Sequence, residues 1–408
     1  MGKKTIRDLE VGGKRVIVRV DFNVPMKDGQ VGDPNRIVQA LPTIRYLVER
    51  NAKVILLSHL GKVNHKDPLQ TEKDIKKNNA RPIAAVLADL LKIPVEFCDA
   101  TRGEELHHVV MKLQAGQVLL VQNTRYEKGE EKNDSELAKE WASLADAYVM
   151  DAFGSAHRAH ASTYGIPAIL NDLGKPTAIG FLVEQEIHAL SRCIQAEEHP
   201  YVAILGGVKV SDKIKVIEGL LKKADRILIG GAMSYTFMKA KGVPVGNSLV
   251  EEEQLDFARK CMKEGAEKIF LPLDYTVAER FENPLDVQNT KGPSIPDGYM
   301  GMDLGKASIA FFAKQIKGAK VVFWNGPMGV FEQPRFSKGT VGIAKAIANL
   351  KGAFSVIGGG DSAAAVAEYG FKDQFSHVST GGGASLEMIE NDGHLPGIDI
   401  IATKGASS

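Results

Sequence analysis

Two kinds of chemistry divide this chain. In its first half, charged and amide side chains follow apolar runs: Asp21 and Asn23 after Arg15–Val20, His59-Leu60-Gly61-Lys62 after Lys53–Leu57, and Arg125 after Val118–Val121. Asp151-Ala152-Phe153-Gly154 follows a fourth run and leads into His157-Arg158-Ala159-His160, and Arg36 opens the first amphipathic segment. Arginine grips carboxylate or phosphate with two parallel donors, and lysine acts as a mobile point charge. One arginine after a strand is an ordinary loop residue. Four successive strand ends, each with a cation at or near it, suit a small, heavily anionic molecule.

In the second half the same places hold glycine: Gly206-Gly207-Val208-Lys209, Gly230-Gly231, Asn325-Gly326-Pro327-Met328-Gly329, Gly358-Gly359-Gly360-Asp361 and Gly381-Gly382-Gly383. Bare backbone N–H groups at helix starts and tight loops hold phosphate. Lys209 and Lys213, four apart where loop becomes helix, can share a face; Lys209, directly after a glycine pair, is the better phosphate contact. Glu332 suits ribose hydroxyls. Asp361 inside a phosphate loop would repel pyrophosphate unless Mg²⁺ intervened, and Mg²⁺ is held by one or two carboxylates plus phosphate oxygens. No Walker A or protein-kinase signature is present. Gly358-x-Gly360-x-x-Ala363 is a weak dinucleotide fingerprint, so a nicotinamide-dependent dehydrogenase is one alternative. A non-enzymatic two-lobe protein that closes on an anion is another. No Ser-His-Asp or paired-carboxylate constellation stands out.

The elements that would position these groups are short apolar runs rich in Val and Ile, without alternation: the three named above, then 147–150, Tyr201–Leu205, Arg226–Ile229, 268–271, 320–324 and 354–357. Such runs read as strands buried on both faces. Helical periodicities lie between them, as in Ile37, Leu41, Ile44, Leu47 and Val48, or Ile83, Val86, Leu87, Leu90 and Leu91. Strand alternating with helix gives an α/β fold, predicted as two doubly wound, Rossmann-like parallel-sheet lobes joined by a hinge helix. Ligands in such sheets lie beyond the carboxyl ends of the strands, where the residues above fall. The expected domains are 1–175 for the acid-binding lobe, 176–195 for the interdomain helix and 196–391 for the nucleotide lobe. The lysine-rich segment 63–80, with no apolar stripe, reads as a surface excursion.

The chain has 408 residues, 44% hydrophobic and 25% charged, with 51 basic against 50 acidic side chains and a net charge of +1. Its length suits two domains, and its charge argues against bulk-charge binding of nucleic acid or membrane surfaces. Three scattered cysteines (Cys98, Cys193, Cys261) make no disulfide framework or metal knuckle, which fits a reducing compartment. No apolar run reaches the roughly 20 residues of a membrane span. The first ten residues lack an apolar core, so a cytoplasmic protein is expected.

The runs Arg19-Val-Asp-Phe-Asn-Val-Pro25, Ser58-His-Leu-Gly61, Asp151-Ala-Phe-Gly154 with His157-Arg-Ala-His160, Trp324-Asn-Gly-Pro327, Gly358-Gly-Gly-Asp361 and Ser379-Thr-Gly-Gly-Gly-Ala-Ser385 together resemble phosphoglycerate kinase, in order from about residue 5 to 403. The resemblance implies a phosphotransferase with a carboxyl group as acceptor. It would move the acyl phosphate of 1,3-bisphosphoglycerate to Mg-ADP and give 3-phosphoglycerate and ATP, reversibly, in glycolysis. It implies an acid site at Asp21, Asn23, Arg36, His59, Leu60, Gly61, Lys62, Arg125 and Arg158. The implied nucleotide site comprises Lys209, Gly230, Gly301, Asn325, Glu332, Gly358, Gly359, Gly360, Asp361 and Ser362, with Asp361 toward Mg²⁺. Arg36, Lys209 and Lys213 would act on the moving phosphoryl group, with backbone N–H groups of Gly360 and Gly383 cradling it. A cytoplasmic monomer is implied, whose last residues, about 392–408, return to the first lobe. Two departures stand out: Lys62 where the family often has Arg, and Gln122 where Glu is common.

Overall fold

The structure, a computed structural model, describes residues 2–405; Met1 and the last three residues of the expected 392–408 tail lie outside them. The chain forms two compact units. One runs to Ile187 and resumes from His394; the other is His188–Gly393.

In the first unit six strands run parallel, in the spatial order Val95–Cys98, Val118–Val121, Lys53–Leu57, Arg15–Val20, Ala147–Asp151, Thr177–Ile179. Alternate residues of these strands (Val16, Val18, Val54, Leu56, Val118, Leu120, Val149) share one core with Ile37, Ile44 and Leu47 of helix Asn35–Glu49 and with Ile83 and Leu87 of helix Arg81–Leu91. Thr177–Ile179 falls within the stretch expected to connect the units; it is the sixth strand of this sheet, and the helix after it is Phe181–Gln195. The start of that helix is fixed to the first unit, since Phe181 N–H donates to Thr43 Oγ1 and Leu182 N–H to Asp151 Oδ1, both at 3.0 Å. The tail is bound to the same unit: Lys4 N–H donates to Ala402 O at 2.8 Å, Lys3 Nζ reaches the carbonyls of Asp399 and Ile401, and Gly397 N–H donates to Ala156 O. The polar segment 63–80 is largely a solvent-facing helix, Pro68–Lys77, with no buried residue, N-capped by Asp67.

The second unit has its own six-stranded parallel sheet: Ile269–Phe270, Arg226–Ile229, Tyr201–Leu205, Val321–Asn325, Phe354–Gly358, His377–Val378. In chain order that is third, second, first, fourth, fifth, sixth, the Rossmann arrangement, whose ligand crevice lies between the first and fourth strands. Val202, Ile204, Val322, Trp324 and Ile357 pack against helices Lys306–Ile316 and Lys338–Ala348. An all-parallel reading missed a small antiparallel sheet of Val287–Asn289, Tyr275–Ala278 and Met300–Leu304. Among the described residues no helix is long and apolar enough to cross a membrane.

Candidate active site

Strands Arg15–Val20 and Lys53–Leu57 pair in register, so their ends lie side by side, and Phe22 N–H donates to Ser58 Oγ at 2.9 Å. Beyond that point residues expected to bind the anion form one hydrogen-bonded chain. Arg36 Nη1 donates to both oxygens of Asp21; Asn23 N–H donates to Asp21 Oδ1 at 3.1 Å; Gly61 N–H donates to Asn23 Oδ1 at 2.8 Å; and Arg125 Nη1 donates to Gly61 O at 2.7 Å. Gly61 has φ +62°, and a Cβ there would collide with Asn78 Oδ1, so only glycine fits.

Arg19, 1% exposed, lies beneath this chain. Its Nε donates to Ser162 Oγ at 2.8 Å and its Nη2 to His59 Nδ1 at 3.0 Å. Burial, followed by the charges of Arg19, Arg125, Arg36 and His160, holds His59 well below its ordinary 6.5. His59 is therefore neutral, and with Nδ1 accepting, its proton sits on Nε2. Lys62, Arg125 and Arg158 line a cleft of ≈ 1080 Å³ together with His65, Lys66, Lys128, Lys132 and His160. Sequence reasoning named Lys62 but missed Lys66, Lys128 and Lys132, which lie in polar stretches with no periodicity. Glu131 pairs with Arg125 Nε at 3.3 Å.

Leu60 must be corrected. It is 2% exposed, and its N–H and C=O are both spent on the Asn123 amide, at 3.0 and 2.7 Å, so it frames the site without offering a ligand group. Gly61 also has its N–H and C=O engaged within the protein. Gln122, 1% exposed, donates to Asn79 Oδ1 and Asp99 Oδ1 and accepts from Ala80 and Asn123 N–H. A glutamate there could not donate.

In the second unit the crevice between the first and fourth strands is built of glycine backbone. A Cβ on Gly231 (φ +65°) would lie 2.6 Å from Gly207 N and 2.9 Å from Pro327 O, and one on Gly326 would overlap Gly206. Three strand ends thus touch through bare backbone. Ser362 Oγ accepts from Gly326 N–H at 2.7 Å, and Asn325 Nδ2 donates to Gly358 O at 2.9 Å. The cavity above them, ≈ 420 Å³, is lined by Lys213, Asp361, Glu332, Gly359, Gly360, Gly301 and the apolar Phe281, Met302 and Val330. Helix Gly360–Glu368 starts there, so its free N–H groups belong to the cavity wall. Lys213 is 8% exposed; burial lowers its pKa, opposed by Asp212 and Asp361.

The cavity lining divides the residues expected at the nucleotide site. Lys209 is exposed and outside this lining, whereas Lys213 is the buried member of the pair. Gly230 and Gly358 do not line the cavity; side chains there would meet Met328 and Ser385, so both glycines serve packing. Gly383 is outside it too and begins a separate helix, Gly383–Glu390. Phe281, half exposed in a polar stretch just before Pro284, was invisible to pattern reasoning.

Comparison with known proteins bears on the whole chain. The family model for phosphoglycerate kinase matches residues 6–392. The chain belongs to the phosphoglycerate kinase family. Phosphoglycerate kinases of Macrococcus caseolyticus and Enterococcus faecalis are 52% and 51% identical to it over 408 residues, covering 99% of this chain and all of each relative. Solved phosphoglycerate kinase structures from Coxiella burnetii (38% identity, TM-score 0.85, 98% of each chain) and Pyrococcus horikoshii (34%, TM-score 0.84, 97% of this chain and 98% of that one) share its fold. The protein is a phosphotransferase of glycolysis that moves a phosphoryl group between 1,3-bisphosphoglycerate and ADP, giving 3-phosphoglycerate and ATP, reversibly. That family assignment decides against the dehydrogenase and the non-enzymatic binding protein.

Proposed function

We propose that the first unit grips the phosphoglycerate through Arg36, His59 Nε2–H, Lys62, Arg125 and Arg158, with Asp21 and Asn23 aiming those groups. The second unit would hold the nucleotide by Lys213, Gly359, Gly360 and Glu332, its base against Phe281, Met302 and Val330. The single observation that carries this reading is the unbroken hydrogen-bonded chain from Arg36 through Asp21, Asn23 and Gly61 to Arg125, which links two cations on separate segments. The attacking oxygen is already anionic, so no general base is needed. What remains is in-line positioning and charge neutralisation. Arg36 on the acid side and the exposed Lys209 on the nucleotide side supply the charge, and free N–H groups at the helix starts Gly360 and Gly383 receive the equatorial oxygens.

Asp361 fits a Mg²⁺ ion: its carboxylate is exposed at the cavity and makes no hydrogen bond or ion pair among the described residues. When bound with nucleotide, the ion would neutralise phosphate charge. The two sets of groups belong to different units, so transfer requires a state in which they face each other with water excluded. The domain expectation, with residues 181–195 as the connecting helix, belongs to this proposal, as do a monomeric state and a cytoplasmic location. Three buried free cysteines support the latter.

A coupled ATP-forming assay with 1,3-bisphosphoglycerate tests the assignment. Arg36→Ala should lower turnover by orders of magnitude while ADP still binds. Activity within about threefold of the unsubstituted enzyme would remove Arg36 from the reaction.

A further inference from the structure

We propose that the second unit carries another small-molecule site, at the open edge of its parallel sheet, which takes an apolar monocarboxylate. The edge strand Ile269–Phe270 is two residues long and both are half-buried, whereas the four inner strands bury nearly every residue. Ile269 and Phe270 open onto a cavity of ≈ 550 Å³, within the roughly 300–1,000 Å³ of ordinary ligand sites. It shares no lining residue with the nucleotide cavity. Phe311 stands edge-on to Phe270, ring centroids 5.9 Å apart, and Met238 and Met262 supply adaptable apolar surface.

The charge of the lining specifies the head group. Among the described residues Lys241 and Arg259 are its charged residues, and no acid lines it. Lys241 is exposed and its side chain makes no hydrogen bond or ion pair among the described residues. Arg259 pairs at 2.7 Å with Asp256 on its own helix, but the two side chains are 53% and 99% exposed. Such a pair is weak in water, and the guanidinium keeps further donors for a carboxylate. An open sheet edge also invites a strand-like peptide. Here two edge residues followed closely by Pro272 offer too short a ladder. An apolar body with one anionic head fits both the walls and the two cations.

The chain labelled with methyl-¹³C methionine and titrated with decanoate tests this, because Met238 and Met262 report on this cavity and Met302 on the nucleotide cavity. Expected are saturable shifts at Met238 and Met262 with Met302 still. They should be lost in Ala266→Trp, whose exposed position lines the cavity, with ATP-forming activity kept. Replacing both cations (Lys241→Gln with Arg259→Gln) should weaken decanoate about tenfold and leave decanol unchanged. The proposal is overturned by shifts at Met302 alone, by no shifts, by binding that survives Ala266→Trp, or by equal affinity for decanoate and decanol in the unsubstituted chain.

Discussion

Arg36 Nη1 donates to both oxygens of the Asp21 carboxylate, at 3.0 and 2.9 Å. The Asp21 side chain is 9% exposed and that of Arg36 40%, so a nearly buried acid steers a solvent-reaching cation. Under the proposed assignment this accounts for an acid in an anion site: it occupies one nitrogen of the guanidinium and leaves the others to meet substrate. Asp21→Asn keeps one acceptor and removes the charge. The KM for 3-phosphoglycerate should rise about tenfold while the dissociation constant for ADP stays put. Steady-state kinetics paired with calorimetric ADP titration check it; an unchanged KM would mean that Arg36 is aimed by something else.

His59 gives a prediction about pH. Its folded pKa lies well below 6.5 because of burial and the surrounding cations. The unfolded chain therefore takes up this proton first as pH falls. Stability from this group is complete above about pH 6.5 and falls below it by about 1.4 kcal/mol per pH unit. His59→Gln should flatten that slope. Unfolding followed through Trp141 in a Trp324→Phe background reads the first unit, since each unit holds one tryptophan. An equally steep slope in the variant would place the acid sensitivity elsewhere.

Buried strands were legible because Val- and Ile-rich runs such as Tyr201–Leu205 have no polar face to confuse the period. Their spatial order was not, since which run lies beside which is decided by packing of distant segments. Thr177–Ile179 is only three residues and follows Pro176, so it reads as part of a connection. Val287–Asn289 is wholly exposed and leaves no core signature. In the site, the spacing of Lys209 and Lys213 put both on one face and could not tell which is buried. The family resemblance marked Leu60 and Gly61 for contact; only the fold reveals that their backbone groups already bond within the protein.

Asp151 titrates with the opposite sign to His59. It is fully buried at a strand end, and burial pushes its pKa from 3.8 up to about 7 against hydrogen bonds from Thr43, Leu182 and Val183. The folded protein thus holds a proton that the unfolded chain has released, so stability falls as pH rises from about 4 to about 7 and then levels. Asp151→Asn keeps an acceptor for Leu182 N–H and has no charge to desolvate. Relative to the unsubstituted chain it should gain on the order of 2 kcal/mol between about pH 5 and pH 8, measured by the Trp141 unfolding midpoint. A constant difference across that range would show that Asp151 is ionised throughout.

Lys209 and Lys213 should fail differently. Lys213 is 8% exposed in the nucleotide cavity, where Asp212 and Asp361 favour its charge and a Cβ on Gly207 would come within 3.0 Å of its Nζ. A buried, fixed cation acts on bound nucleotide before and during transfer alike, and such uniform binding appears mainly in affinity. Lys213→Ala should therefore weaken ADP about tenfold and lower turnover less. Lys209 is exposed, and on the proposed assignment its charge acts on the phosphoryl group chiefly in transit. Lys209→Ala should cost about a hundredfold or more in kcat with ADP affinity within about threefold. ADP titration and single-turnover kinetics on both variants separate the two roles. If Lys213→Ala loses turnover and Lys209→Ala loses affinity, the buried lysine is the one that follows the phosphoryl group.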